Sequence, residues 1–180
     1  AEGVAGACEV LTDEGYRESR AGSHALAFSR FQGVLAFMRE GETAARAYVG
    51  IGCVHARLRQ RDLAEPAFRK ALSLGASTRE ARRCYHFLIT AGLGSRDYEQ
   101  AWRDAQALVA LPTDGAAKAT DEALLGMVLE KTQGPMKAAA LYRRILEKYP
   151  KDYCATARQR LDVILARLEE AVLSPLPGRP

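Results

Sequence analysis

The sequence of 180 residues predicts an all-α protein, a right-handed α-solenoid of stacked antiparallel helix pairs. Three observations predict this fold class. A pattern of small and apolar residues recurs every 37 residues along the chain. Within each copy, the apolar residues follow the three- and four-residue spacing of one helix face. Glycine, proline or short polar stretches separate the segments. A fixed period of roughly 20 to 50 residues is typical of stacked helical repeats.

Four alanines define the period, and other positions keep the same register. The alanines stand 37 residues apart at Ala27, Ala64, Ala101 and Ala138. Four residues after each alanine come Phe31, Phe68, Ala105 and Tyr142. Twelve residues before each alanine come Gly15, Gly52, Ile89 and Gly126. Agreement at several positions predicts repeats over about residues 8–44, 45–81, 82–118 and 119–151.

Each copy is predicted to contain two helices joined by a short turn. The first helix of copy one should begin near Cys8, which leaves residues 1–7 as an N-terminal extension. The turns are predicted at Ala21-Gly22-Ser23, Arg61-Asp62, Gly94-Ser95-Arg96-Asp97 and Gly134-Pro135. Ser77-Thr78-Arg79-Glu80 predicts a capping box at the start of the third copy. Pro112 and Pro150 should end second helices, because proline cannot continue the hydrogen-bond ladder.

The segment after Pro150 predicts one amphipathic helix over residues 152–172, with Asp152 as its N-cap. Its apolar stripe consists of Tyr153, Ala157, Leu161, Ile164, Leu165 and Leu168. A terminal helix with a polar outer face covers the open apolar end of a helical stack. Residues 173–180 contain three prolines and are predicted to form a tail.

Composition and charge limit the function classes. The net charge is +4, and lysine and arginine are spread among acidic residues, as on a solvated helical surface. The sequence contains no run of 18 apolar residues, so no membrane span is predicted. Four cysteines without a C-x-x-C pair favour a reducing compartment, so we expect a cytoplasmic protein. The alternative is a periplasmic or lipid-anchored protein whose upstream signal was removed, because "VAGAC" resembles a lipoprotein cleavage box ending at Cys8.

Catalytic and metal-binding motifs are not recognisable in the sequence. Cys53 with His55, and Cys84 with His86, share a Cys-x-His spacing. Residues two apart on a helix point about 200° apart, so neither pair can hold one metal ion. No phosphate-binding loop or nucleophile–base motif is present, which predicts a non-enzyme without cofactor or metal. The arginine-rich segments 57–61 and 79–83 are interpreted as exposed helix ends and first turns, and binding of an acidic peptide or RNA is the alternative.

The repeat resembles the tetratricopeptide repeat family. Leu125-Gly126 with Tyr142 and Pro150 is similar to the family pattern, and so is the run Asp97-Tyr98-Glu99-Gln100-Ala101. The resemblance covers roughly residues 8–150. The usual period of the family is about 34 residues, so a 37-residue period implies slightly longer helices or loops.

This resemblance implies a protein–protein interaction scaffold or adaptor that binds a partner segment in a concave groove lined by first helices. An assembly or secretion chaperone is one variant of that function. The expected groove residues are Thr12, Tyr16, Arg46, Val49, Cys53, Arg83, His86, Thr90, Leu93 and Met127. Arg46 and Arg83 imply a preference for acidic flanks in the partner.

The competing hypothesis is an RNA-binding helical repeat, which needs polar readers at equivalent positions of every copy. Val49, Cys53 and Met127 do not supply them, so nucleic acid is not the expected partner. Some tetratricopeptide proteins clamp acidic chaperone tails with lysine, asparagine and arginine. Only Arg83 keeps a cationic donor at the matching positions, so we expect no binding of such tails.

Overall fold

The computed structural model describes residues 2–173, with side chains described over residues 3–170. That span is all-α, as the sequence predicts, and contains no strand. The helices are α1 (Glu2–Ala21), α2 (His24–Phe37), α3 (Gly41–Arg57), α4 (Arg61–Ser73), α5 (Thr78–Ser95), α6 (Tyr98–Ala110), α7 (Gly115–Thr132), α8 (Pro135–Lys148) and α9 (Ala155–Leu173). A single 3-10 turn, Lys151–Tyr153, precedes α9.

The chain divides into two compact units, and the boundary between Ala91 and Gly92 falls inside α5. The first unit holds α1 to α4 and most of α5. The second unit holds the end of α5 and the helices α6 to α9. Each unit is described by itself below.

In the first unit, close packing of an aromatic ring against glycine backbone holds the helices together. Helix α1 packs on α2, α2 on α3 and α3 on α4, and α1 also contacts α3. The Phe31 ring of α2 is completely buried between Gly15 of α1 and Gly50 of α3. A Cβ would approach this ring to 2.7 Å at position 15 and to 2.3 Å at position 50. Only glycine allows such an approach without a shift of the ring or the helices.

The second unit repeats this arrangement with a tyrosine. Helix α7 packs on α8, and a Cβ at Gly126 would lie 2.4 Å from the Tyr142 ring. Helix α9 covers the apolar side of α8, where Leu161 and Ile164 join the same buried cluster as Leu141 and Ile145. The predicted stripe from Ala157 to Leu168 therefore joins this cluster, whereas Tyr153 lies in the preceding 3-10 turn and is exposed.

The four alanines that define the period occupy the same place in their helices. Each is the fourth residue of α2, α4, α6 or α8, and each is completely buried: Ala27, Ala64, Ala101 and Ala138. Copy three differs from the other copies at two other positions, and the two size changes are opposite. The larger Ile89 replaces glycine, and the smaller Ala105 replaces the aromatic residue. Both are completely buried.

Two predicted helix starts differ from the structure. Helix α1 begins at Glu2, six residues before Cys8, because no proline interrupts the residues that precede the packed part of the helix. Helix α9 begins at Ala155, so Asp152 is not its N-cap. Asp152 lies in the 3-10 turn, which closes when the Tyr153 N–H donates to the Pro150 carbonyl (2.9 Å).

The remaining boundaries agree closely with the predicted turns. Gly22 (φ +87°) and Gly134 (φ +94°) occupy left-handed conformations at turns within the first and fourth pairs. Two predicted turns are exceptions: Arg61 and Asp62 belong to the first turn of α4, and Gly94 and Ser95 belong to the last turn of α5. The predicted tail covers residues 173–180; Leu173 is the last residue of α9, and residues 174–180 lie outside the described residues. Among the helices of residues 2–173, none is long and apolar enough to cross a membrane.

Candidate functional site

Two adjoining cavities in the first unit are lined mainly by α1, α3 and α5. The first, which we call the charged cavity, has a volume of about 260 Å³. Its lining combines Tyr16 and the carboxylates of Asp13 and Glu80 with five arginines: Arg17, Arg20, Arg46, Arg79 and Arg83. The second, the mixed cavity, has a volume of about 350 Å³ and includes Ser19, Cys53, Ala56, Arg57, Phe68 and Phe87.

The cavities share Tyr16, Arg20 and Arg83, so they form one continuous surface, the arginine groove. Helix periodicity places these residues together. Tyr16 and Arg20 are four residues apart on α1, and Arg79 and Arg83 are four apart on α5, so each pair lies on one helix face. The groove therefore collects side chains from helices that are distant in sequence.

Tyr16 lies at the centre of the groove. Its hydroxyl donates a hydrogen bond to the backbone carbonyl oxygen of Arg46 (2.8 Å), which joins α1 to α3. The Arg83 guanidinium lies 5.8 Å from the centroid of the Tyr16 ring, in cation–π geometry. Burial raises the pKa of the Tyr16 phenol, and the nearby Glu80 carboxylate raises it further. The phenol is therefore neutral and serves as a fixed donor and ring surface.

The groove arginines differ in whether their guanidinium groups already pair with another group of the protein. Arg46 pairs with Asp13 at 2.7 Å, and Arg83 approaches Glu80 at 3.5 Å. Arg17, Arg20 and Arg79 are exposed and make no ion pair or hydrogen bond with any described residue. Their guanidinium groups are available to an external anion.

The mixed cavity has an apolar side and a polar side. The rings of Phe68 and Phe87 lie with their centroids 4.7 Å apart. On the polar side, Arg57 donates to the Ser19 carbonyl oxygen. The Ser19 side chain is only 3% exposed, and its Oγ has no hydrogen-bond partner among the described residues. A buried hydroxyl without a partner is uncommon, because burying it unpaired is unfavourable.

Cys53 lies at the side of the mixed cavity, partly buried. Burial raises the pKa of its thiol. Because the thiolate is the reactive form of cysteine, Cys53 is a weak nucleophile here.

Four of the residues expected from the sequence come together in this groove: Tyr16, Arg46, Cys53 and Arg83. Two others do not line it, and their assignment is corrected. Thr12 is completely buried, with its hydroxyl donating to the Cys8 carbonyl (2.7 Å). Val49 is completely buried in the core with Phe68. Each points to the packed side of its helix.

The remaining expected residues lie outside the groove lining. His86 is half-buried on α5, and Thr90 is exposed with its hydroxyl donating to the His86 carbonyl (2.8 Å). Leu93 and Met127 are half-buried and belong to the second unit. Their role in partner binding stays a prediction.

Sequence reasoning missed several lining residues, chiefly Arg17, Arg20, Arg79 and Ser19. One signal was present for Arg79, because it stands one helical turn before Arg83. The interpretation of segment 79–83 as an ordinary exposed helix end overlooked this shared face. Nothing local in the sequence indicates that α1 lies beside α3 and contributes Arg17 and Arg20.

A larger cleft of about 760 Å³ lies elsewhere in the first unit, between the α1–α2 turn and the end of α3. Its lining is mostly apolar and includes Leu26, Phe28, Val54 and Leu58. It contains no arginine, lysine or carboxylate. Over the described residues, no group of three or more His, Cys, Asp or Glu side chains could hold a metal ion.

Comparison with known proteins gives one informative similarity. No protein-family model matches the sequence, and no curated protein matches it. A solved structure of Pseudomonas aeruginosa pilF is similar, with a TM-score of 0.73 and 18% sequence identity. The similarity covers 94% of this chain and 72% of that chain. At this identity the similarity concerns the fold alone, and it supports an all-α helical-repeat fold for this chain.

Proposed function

We propose that this protein is a non-enzymatic scaffold or adaptor that binds a segment of another protein in the arginine groove. The observation that carries this proposal is the groove itself, in which Arg17, Arg20 and Arg79 have no partner within the described residues. Unpaired guanidinium groups beside apolar rings suit a polypeptide that offers both carboxylates and apolar side chains.

We further propose that the four helix pairs are tetratricopeptide copies with a 37-residue period. The equivalent, buried positions of Ala27, Ala64, Ala101 and Ala138 support this assignment. In this arrangement the arginine groove lies on the first helices of copies one to three, where the sequence resemblance implies the partner-binding surface.

A non-catalytic role is supported by the state of the two reactive side chains in the groove. Burial raises the pKa of both the Cys53 thiol and the Tyr16 phenol. Catalytic nucleophiles are activated in the opposite direction, by a lowered pKa or an adjacent base. Both groups therefore fit binding better than catalysis.

The finer role that we propose is an assembly or secretion chaperone of the cytoplasm. Three of the four cysteines are buried and none is in a disulfide, which suits a reducing compartment. Cys8, the residue of the lipoprotein-like sequence, is one of these buried cysteines and packs with Phe31 and Val34.

RNA binding is the second candidate, and one observation favours it. Arginines and aromatic rings that share a groove are also typical of proteins that bind single-stranded nucleic acid. Against it, a repeat that reads RNA needs an accessible polar reader in each copy, whereas Val49 is buried and Cys53 is a weakly polar thiol. We therefore favour a protein partner.

A retention experiment with the full chain tests the proposal. The immobilised protein is compared with Arg20→Glu/Arg79→Glu, and with the control Arg143→Glu/Arg144→Glu on α8, where both arginines are exposed and have no partner among the described residues. A retained protein supports the proposal if it binds directly when purified and is lost only with the groove variant. Loss after ribonuclease treatment, or a steep salt dependence of binding to single-stranded RNA, would instead support the RNA hypothesis.

A further inference from the structure

We propose that the arginine groove recognises an internal acidic–aromatic motif, with a side-chain carboxylate in the charged cavity and a neighbouring bulky apolar side chain in the mixed cavity. This inference rests on the proposed function, because it names the chemistry of the partner at the same site. Two features of the groove lead to it: an excess of cationic side chains, and an apolar surface directly beside them.

The charged cavity has more cations than its own carboxylates can pair. Five arginines face two carboxylates, Asp13 and Glu80, which leaves a difference of three positive charges (five minus two). Within the described part of the chain, Arg17, Arg20 and Arg79 are the groups without an ion-pair partner. Arginine presents a planar fork of N–H donors that matches the two oxygens of a carboxylate. The cavity volume of about 260 Å³ suits a bound side chain better than a long stretch of bound backbone.

The mixed cavity provides the apolar contact. Phe87 and Ala56, both partly buried, form its apolar surface, and the buried Phe68 ring packs against Phe87. Because Tyr16, Arg20 and Arg83 line both cavities, the two ligand groups must be close together in the bound segment. Arg83, placed over the Tyr16 ring, separates the apolar subsite from the charged one.

Ser19 provides an independent indication that a ligand belongs here. Ser19 lines the mixed cavity, and its Oγ is buried without a hydrogen-bond partner among the described residues. A rotation of the Ser19 side chain toward the cavity would let this hydroxyl donate a hydrogen bond to a ligand oxygen beside Arg57 and Arg83. Ligand binding would thus satisfy a polar group that folding leaves unsatisfied.

The bound carboxylate is assigned to a side chain and not to the end of a chain. Of the positions that correspond to the carboxylate clamp, Thr12 is buried, and Gly50 lies against the Phe31 ring. The cavity linings include no lysine or asparagine. The exclusion of clamp-type tail binding thus remains part of the proposal, although the groove has more cations than Arg83 alone.

The test uses a short fluorescent peptide, blocked at both ends, with two acidic residues on each side of one phenylalanine and glycine–serine flanks. Three peptide controls replace the carboxylates by amides, replace the phenylalanine by serine, or leave the C-terminal carboxylate free. Single-stranded oligouridine is a fourth probe. Anisotropy is measured with the wild type, Arg20→Glu/Arg79→Glu, and the control Arg143→Glu/Arg144→Glu.

We expect the blocked peptide to bind the wild type with a micromolar dissociation constant. Amide replacement, serine replacement and the groove variant should each weaken binding by about tenfold or more, because each removes a principal contact. The α8 control should change affinity by less than about twofold, since exposed charges outside the site contribute little. Melting temperatures of both variants should match the wild type, because the replaced arginines have no partner among the residues that the structure describes.

Several results would overturn the inference. If the amide peptide binds as tightly as the blocked acidic peptide, the groove does not recognise a carboxylate. If the serine peptide binds as tightly, the mixed cavity is not an apolar subsite. Tighter binding of the peptide with a free C-terminus would assign the groove to chain ends. Tighter binding of oligouridine, or no peptide binding at all, would also reject the motif. If a partner is still retained through the groove in the experiment above, only the motif fails; if no protein is retained, the proposed function fails with it.

Discussion

The backbone of Gly50 on α3 lies so close to the Phe31 ring of α2 that a Cβ at position 50 would be 2.3 Å from it. Gly50→Ala should therefore overpack the first unit and lower its free energy of unfolding by about 1–3 kcal/mol. Gly33 on α2 is the matched control, because a Cβ there meets nothing within 4 Å. Gly33→Ala should raise stability by about 0.5–1 kcal/mol through its helix propensity. Urea unfolding measures both, and equal effects would contradict the packing described here.

In the second unit, Arg160 of α9 pairs with Glu130 of α7 through its Nε (2.9 Å) and a second nitrogen. The same carboxylate accepts a hydrogen bond from the Tyr142 hydroxyl (2.8 Å). Arg160→Met should lower stability by about 2 kcal/mol, because a nearly buried carboxylate loses its cation while partial exposure of Arg160 moderates the loss. Arg158→Met, at an exposed position of the same helix, should change stability by less than about 0.5 kcal/mol. Thermal unfolding measures both variants. Equal melting temperatures for Arg160→Met and Arg158→Met would show that the Arg160–Glu130 pair does not stabilise the fold.

Ser19→Ala should move stability and affinity in opposite directions. Removing a buried hydroxyl that has no partner should stabilise the free protein by up to about 1 kcal/mol. Binding of the acidic–aromatic peptide should weaken, because the ligand loses a donor. Thermal unfolding and anisotropy measured on the same sample check both halves. A variant that is less stable than the wild type would show that the hydroxyl has a partner in solution.

Alkaline pH should destabilise the fold. Burial raises the pKa of Cys84 to about 12 and also raises the pKa of Cys53. An acid whose pKa is higher in the folded state keeps its proton there after the unfolded chain has released it. Stability is therefore fully present below the unfolded thiol pKa of about 8.5 and falls as pH rises above it. Urea midpoints between about pH 7 and pH 10 should decline, and Cys84→Ala should flatten this decline. If the urea midpoint of Cys84→Ala declines with pH as steeply as that of the wild type, Cys84 does not cause the decline.

Ending the chain after Pro150 should make the protein self-associate. Helix α9 buries Ala157, Leu161 and Ile164 against Leu141 and Ile145, and its removal would expose that apolar surface. A chain that ends at Leu173 keeps α9 and is the matched control. Light scattering and thermal unfolding should show aggregation or lower stability only for the shorter chain. If the shorter chain is monomeric and equally stable, α9 is not a cap.

The helix pairs could be predicted from the sequence because their signals are local. Ala27 and its equivalents mark helix positions by spacing alone, and Gly22 and Gly134 mark turns through their conformational freedom. The start of α9 was misplaced, because Asp152 is a good N-cap by residue type whereas the turn after Pro150 takes it into a 3-10 conformation.

The groove was harder to predict because it depends on helix rotation and on contacts between distant segments. One residue along a helix turns the side chain by about 100°, so neighbouring positions separate a lining residue from a core residue. Thr12 and Asp13 show this, since Thr12 is completely buried and Asp13 lines the charged cavity. Arg17 and Arg20 became groove residues only through the packing of α1 beside α3.

The position of Phe31 between Gly15 and Gly50 has a consequence for how the first unit comes apart. The ring fills the space between the two helices of the first pair and, on its other side, meets the first helix of the second pair. Neither pair can separate from the other without uncovering the same ring. The two pairs should therefore open together, as one cooperative unit in native-state hydrogen exchange, with similar protection for the amides of α1, α2 and α3. In a nearest-neighbour stack the pairs can open one at a time, but this shared ring couples the first two pairs described here.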